Sequence, residues 1–67
     1  MLRLIRNEFR DKEGRTPLFL SISGQHAETS LMLLKAGASL YINDNNGIEI
    51  KELARKPAVV DIVNKFL

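Results

Sequence analysis

The spacing of apolar residues along the chain predicts a series of short helices separated by polar turns. Near the start, Leu2, Ile5 and Phe9 recur at intervals of three and four residues, which places their side chains on one face of a helix. We therefore expect a short N-terminal helix over residues 1–10, with its apolar face packed on the segment that follows.

Two further helices are predicted after the first turn, from Pro17 to Ser23 and from Ala27 to Ala36. Thr16 precedes the first of them and suits its N-cap, and proline is well tolerated at the first helical position. Residues 49–56 and 58–67 repeat this succession of apolar and polar positions. We therefore expect a second pair of helices there.

Two stretches of the chain repeat each other at an offset of 33 residues. Asp11 begins the sequence Asp-Lys-Glu-Gly, and Asp44 begins the sequence Asp-Asn-Asn-Gly. The offset also aligns apolar positions of the helices that follow. A fixed period of this length is typical of stacked-repeat proteins, in which each unit covers the apolar face of its neighbour. We expect Gly14 and Gly47 to hold equivalent turn conformations, because the chain must reverse at both.

The first copy resembles the ankyrin repeat. Its segment 16–18 matches the beginning of the T-P-L-H signature, and its segment 33–38 matches L-L-x-x-G-A. The second copy is weaker, because residues 49–51 replace Thr-Pro-Leu and residues 57–59 replace the inter-helix Gly-His. The resemblance implies one all-α domain of stacked helix-turn-helix repeats. Its parts are a capping N-terminal helix over residues 1–10, a first repeat over 11–43 and a degenerate capping repeat over 44–67.

The first copy also departs from the family at several positions. Phe19 stands where the family usually has His, and Ser21 and Ile22 stand where it has paired Ala. Gln25 stands where the family usually has Gly. The first copy is therefore an atypical member.

Four consecutive apolar residues, 31–34, cover more than half of the circumference of the second helix. We expect Leu33 and Leu34 in the core, because helical periodicity and the repeat register agree on burying them. Part of the run could instead leave an apolar face for a partner. After this helix, residues 38–43 form an extended return, for which we predict no separate sheet.

Composition limits the kinds of protein that the chain can be. Its 67 residues include no cysteine, so no disulfide can stabilise a core that is marginal at this length. Ten basic and eight acidic residues are interleaved, giving a net charge of +2. This pattern favours a protein partner over a nucleic acid, which we expect only through a larger assembly. We expect an intracellular protein of the cytoplasm or nucleus, without a membrane association.

The motifs that carry catalytic or metal chemistry are not complete in this sequence. The segment 43–47 is rich in oxygen ligands, but an EF-hand loop would require carboxylates where Ile42 and Leu53 stand. His26 is the single histidine, and the resemblance implies a structural role for it between the two helices. We therefore expect no enzyme activity, no cofactor, no metal and no small-molecule substrate.

The resemblance implies a protein-binding module that uses its turn tips and first helices as the contact face. A small accessory or scaffold subunit, embedded in a larger protein or RNA–protein assembly, remains the alternative. The predicted contact residues are Arg10, Lys12, Glu13, Arg15, Ser23, Asn43, Asn45, Asn46, Ile48 and Lys56.

Overall fold

In the computed structural model, which describes residues 10–67, helical segments follow one another without a β-strand. In chain order they are α1 (Pro17–Ser23), α2 (Ala27–Lys35), a 3-10 helix (Ile50–Leu53) and α3 (Pro57–Phe66). Extended backbone pairs only at an isolated antiparallel bridge between Asn43 and Glu49 within this range. The all-α class is confirmed. The predicted N-terminal helix falls on residues 1–9, outside the described residues, apart from its last position.

The helix α1 begins and ends where the sequence predicts. The Thr16 side chain accepts a hydrogen bond of 3.2 Å from the backbone N–H of Phe19, which caps the N-terminus, and Pro17 takes the first helical position. At the other end, Gly24 donates its N–H to carbonyl groups of the last turn. Local capping therefore explains the short length of α1.

The helix α2 begins at Ala27, as predicted, and ends at Lys35, one residue before the predicted end. Glu28 lies in its first turn and Lys35 in its last, so both charges are favourable with the helix dipole. Gly37 follows with φ +102°, a conformation that favours glycine and that ends many helices.

The prediction of a first helix in the second copy over residues 49–56 is wrong in both the length and the type of helix. Only Ile50–Leu53 is helical, and it is a 3-10 helix whose preceding residue, Glu49, makes no capping hydrogen bond. Lys56 is extended with ψ 142°, as expected for a residue before proline. Pro57 then begins α3, one residue before the predicted start, and α3 ends at Phe66, one residue before the predicted end.

The helical segments contact one another mainly in three pairs. The first pair, α1 and α2, contact each other, while the 3-10 helix contacts α1 and α3 contacts α2. Their buried apolar side chains form one cluster. Its members are Leu18, Phe19, Ile22, Leu34, Leu40, Ile50, Val59 and Val63.

The apolar run at the end of α2 divides between the core and the surface. Leu34 is buried, as predicted, whereas Leu33 is only half-buried and packs against the edge of the cluster. Met32 is exposed. Ser30, one helical turn before Leu34, is fully buried, so the inward face of α2 passes through these two positions.

Candidate functional site

The first turn is closed by the side chain and the backbone of a single aspartate. Asp11 Oδ1 accepts hydrogen bonds from the backbone N–H groups of Glu13 (3.0 Å) and Arg15 (2.9 Å). Its carbonyl accepts from the N–H of Gly14 at 2.9 Å, and its own N–H donates to the carbonyl of Arg15 at 3.0 Å. Gly14 has φ +82°.

The second turn repeats this network bond for bond at an offset of 33 residues. Asp44 Oδ1 accepts from the N–H groups of Asn46 (2.9 Å) and Ile48 (2.8 Å). The Asp44 carbonyl accepts from Gly47, and the Asp44 N–H donates to the carbonyl of Ile48. Gly47 has φ +81°. The prediction that Gly14 and Gly47 hold equivalent turn conformations is confirmed.

Asn45 joins the two turns. Its backbone N–H donates to the carbonyl of Glu13 at 2.8 Å, and its side-chain Nδ2 donates to the carbonyl of Lys12, also at 2.8 Å. A Cβ on Gly14 would overlap Asn45 Oδ1 and lie 3.0 Å from the Asn45 backbone nitrogen. The missing side chain at Gly14 therefore lets the second turn stack directly on the first.

Arg15 is held within the first turn by two carboxylates. Its Nε donates to Asp11 Oδ2 at 2.8 Å, and its terminal nitrogen donates to Glu13 Oε1 at 3.1 Å. The side-chain hydrogen bond from Arg15 is the main cause that lowers the pKa of Asp11 below its ordinary value. In the second turn Ile48 occupies the position of Arg15, so this ion pair belongs to the first turn alone.

The ion pair between Asp11 and Arg15 predicts that the fold loses stability in acid. The folded-state pKa of Asp11 is lowered. The ion pair therefore stabilises the fold fully when the pH is above the unfolded-state pKa of about 4. This stabilisation is lost as the pH falls through the folded-state pKa. We expect the melting temperature to fall less steeply below that pH in Asp11→Asn than in the parent chain. Thermal melts between pH 2 and pH 7 would measure the difference; parallel curves would contradict a stabilising role for the ion pair.

Most of the ten predicted contact residues are exposed, and the structure gathers them into two groups. The residues of the turns form the first group, and Arg15 is the one among the ten that is half-buried. The second group comprises Ser23, at the end of α1, and Lys56, which precedes α3; a common partner, Gln25, connects them. The polar side-chain groups of Arg15 and Asn45 bond within or between the turns. The side chains of Lys12, Asn46 and Ile48, the last of them aliphatic, are exposed.

Sequence reasoning missed Gln25, the residue that ties the two halves of the chain together. Its Nε2 donates to the carbonyl groups of Leu53 (2.7 Å) and Ile22 (2.9 Å). Its Oε1 accepts from the backbone N–H groups of Arg55 (2.9 Å) and Lys56 (3.0 Å). We call this set of bonds the Gln25 clamp. The backbone groups after Leu53 bond to the clamp and not along a helix, which accounts for the short 3-10 segment.

The clamp predicts that Gln25→Ala lowers the free energy of unfolding by about 1–3 kcal/mol, because several backbone groups lose a partner at once. Gln25 has φ +60°, so Gln25→Gly is the matched control: it removes the same bonds but relieves the backbone conformation. We expect Gln25→Gly to lose less stability than Gln25→Ala in urea unfolding, yet still to be less stable than the parent chain. A Gln25→Gly variant more stable than the parent would show that the strain outweighs the clamp.

The remaining polar groups between the helices serve packing. The hydroxyl groups of Ser21, in α1, and Ser30, in α2, lie 2.8 Å apart, and each is also within hydrogen-bond distance of a backbone carbonyl, of Leu18 and His26 respectively. The His26 ring lies against Gly24, where an added Cβ would come within 2.6 Å of it. No hydrogen bond from this ring is present among residues 10–67, so its structural role stays a prediction.

The described part of the chain has neither a metal-binding cluster nor a helix that could span a membrane. Residues 10–67 contain no cluster of three or more histidine, cysteine or acidic side chains that could hold a metal ion. None of the helices within that range combines the length and the apolarity needed to span a bilayer.

Comparisons with known proteins do not identify the chain. No family model matches it, and neither a curated protein nor a solved structure does so.

Proposed function

We propose that the chain is a non-catalytic protein-binding module of the ankyrin-repeat type. The proposed contact face consists of the outward side chains of the two stacked turns, continued by Ser23 and Lys56 at the clamp. We also propose that the module meets its partner in the cytoplasm or nucleus.

The observation that carries this proposal is the pairing of identical turn networks through Asn45. Each turn is fixed by its own aspartate, and Asn45 fixes one turn relative to the other. The outward side chains are therefore held at a set spacing before a partner arrives. Pre-organisation of this kind reduces the entropy that binding costs.

The chemistry of the surface indicates a polar partner. Lys12 and Lys56 supply positive charge, Asn43 and Asn46 supply amide donors and acceptors, and Ile48 adds one partly exposed aliphatic side chain. Such a mixture is typical of the polar rim of an interface, where charges mainly affect the association rate and its dependence on salt.

An accessory subunit of a larger assembly is the second candidate, and the reduced first helix of the second unit favours it. Only Ile50–Leu53 is helical there, so less of the second unit is covered by its own chain. A cooperative thermal melt of the isolated chain supports an autonomous module; a chain that folds only with its partner supports the subunit.

The contact face predicts where a partner would be cross-linked and which truncations would weaken its binding. A photo-reactive amino acid at Lys12 or Asn46 should capture the partner, and the same probe at the exposed Met32 or Asp61 should not. With the captured partner purified, Lys12→Ala combined with Asn46→Ala should weaken binding by about tenfold, equivalent to about 1.4 kcal/mol. Both side chains are exposed, so circular dichroism should show an unchanged fold.

Met32→Ala is the matched control, since it truncates an exposed side chain away from the turns. Full affinity in the Lys12 and Asn46 double variant, with an unchanged fold, would exclude the turns as the contact face. Equal cross-linking at all four positions would exclude it as well.

A further inference from the structure

A shallow apolar groove lies between the 3-10 helix and α3. In it, Val63 is buried, Ala54 and Val60 are half-buried, and Leu67 is exposed at the rim. The groove is lined by Lys51, Ala54, Val60, Val63, Asn64 and Leu67.

Every residue of this groove lies 33 positions after a residue of the helix pair α1 and α2. Those earlier residues are Leu18, Ser21, Ala27, Ser30, Leu31 and Leu34. In the first unit, residues 11–43, four of the six are buried and the other two are half-buried. At the last of these pairs, Leu34 is 6% exposed and Leu67 is 55% exposed.

The second unit, residues 44–67, covers part of this surface in the first. The 3-10 helix contacts α1, and α3 contacts α2. Ile50, Val59 and Val63 are the buried side chains that it contributes to the common core. The groove is thus the continuation, one period further along the stack, of an interface that the chain already forms.

The second turn has backbone carbonyl groups to which a further turn could donate hydrogen bonds, as the second turn donates to the first. In the first turn, the carbonyl groups of Lys12 and Glu13 accept the hydrogen bonds of Asn45, beside the space left open at Gly14. The equivalent carbonyl groups, of Asn45 and Asn46, receive no hydrogen bond from residues 10–67. Among residues 10–67, apart from Gly47 and its two chain neighbours, no heavy atom lies within 4 Å of the position that a Cβ on Gly47 would take.

We propose that the groove and the second turn together bind a turn–helix unit of a partner polypeptide. By analogy with Asn45, one residue of the partner's turn donates its side-chain amide to the carbonyl of Asn45 and its backbone N–H to the carbonyl of Asn46. The partner's helices carry apolar side chains for the groove. Lys51 stands where the first unit has the buried Leu18, and its present partner is the half-buried Glu49 at 3.5 Å. Covering Lys51 requires a paired charge, so the partner also carries a carboxylate there.

A second copy of this chain fits the site less well. In its first turn, the residue equivalent to Asn45 is Lys12, which has no side-chain amide for the carbonyl of Asn45 and which would bring a second positive charge toward this face. The second turn of such a copy already uses Asn45 on its own first unit. A turn–helix unit with an amide at the position of Lys12 therefore fits the site better than a second copy does. This surface is separate from the outward side chains of the turns.

The test extends the full chain after Leu67 with a second copy of its own residues 35–67 as the probe. Since Leu67 stands in the register of Leu34, this extension keeps the 33-residue period and supplies Asn45 and the apolar residues of the second unit. We expect one cooperative urea transition at a higher midpoint than that of the parent chain, because neighbouring units stabilise each other. An extension with the same 33 residues in scrambled order should give no rise.

Two substitutions locate the effect. Leu67→Glu should abolish the rise in midpoint, whereas Met32→Glu, which makes the same change on an exposed part of α2, should preserve it. Gly47→Ala should become more destabilising in the extended chain than in the parent, because the added asparagine then fills the space beside Gly47.

An unchanged midpoint, or a rise that survives Leu67→Glu, would overturn the proposal. Sedimentation velocity of the parent chain supplies the remaining outcome. We expect a monomer at all concentrations; a dimer that Leu67→Glu dissociates would assign the groove to a second copy and would also overturn it.

Discussion

Replacing Gly14 by alanine is expected to be among the most damaging single changes to this chain. A non-glycine residue at a left-handed φ costs roughly 1–2 kcal/mol, and here the new Cβ would also meet the side chain and backbone nitrogen of Asn45. Together we expect a loss of about 3 kcal/mol or more, against a total stability of about 3–10 kcal/mol for a chain of this size. Urea unfolding followed by circular dichroism measures it.

Gly47→Ala is the matched control. Gly47 has nearly the same φ, and in the described part of the chain no residue beyond its two neighbours lies within 4 Å of its missing Cβ. We expect it to lose only the roughly 1–2 kcal/mol of the backbone conformation. Asn45→Ala should cost less stability in the Gly14→Ala background than in the parent chain. In that background it also removes the side chain that the new Cβ overlaps. Equal losses in Gly14→Ala and Gly47→Ala would show that the two turns do not stack.

Leu34→Ala is expected to have an effect of similar size. Leu34 is buried at the contact between α2 and the rest of the apolar cluster, and truncating a buried leucine typically costs about 2–5 kcal/mol. The loss of helical signal with temperature would measure it. We expect the isolated variant to melt well below the parent or to be unfolded.

Leu33→Ala and Met32→Ala extend this comparison along the same helix. Leu33 is half-buried and Met32 is 70% exposed, so the losses should decrease from Leu34 to Leu33 to Met32. Leu33 as costly as Leu34 would contradict this packing of α2. These variants keep the test informative even where Leu34→Ala does not fold.

The sequence predicted the elements whose causes are local. Thr16 and Pro17 mark the start of α1, and the glycine three residues after each turn aspartate marks a backbone reversal. These features depend on neighbouring residues, so a pattern in the sequence can indicate them. Of the two residues of α2 that we predicted in the core, Leu34 is buried, but four consecutive apolar residues could not show that Leu33 lies at the edge of the core.

The features that the sequence did not predict depend on distant parts of the chain. The Gln25 clamp bonds to residues 28 to 31 positions away, and it accounts for the 3-10 helix in place of the predicted one. One signal was present: Gln25 occupies a position where the resemblance expects glycine. A non-glycine residue with a positive φ is uncommon, and a strong side-chain interaction is one way to hold it there.

The candidate contact residues show the same limit. The sequence placed Arg15 and Asn45 on exposed turns, but it could not show that Arg15 is paired with Asp11 or that Asn45 bonds the other turn. Their partners are carboxylate and carbonyl groups brought close only by the fold. The binding role of all ten residues remains a prediction.

Direct detection of the hydrogen bond between the turns tests the central claim. In an isotope-labelled sample of the full chain, we expect scalar couplings across hydrogen bonds from the Gly14 nitrogen to the Asp11 carbonyl carbon and from Gly47 to Asp44, which report the turns themselves. We also expect a coupling from the Asn45 nitrogen to the Glu13 carbonyl carbon, which reports their stacking. Couplings within both turns, without the one from Asn45 and with rapid exchange of its amide proton, would contradict the account.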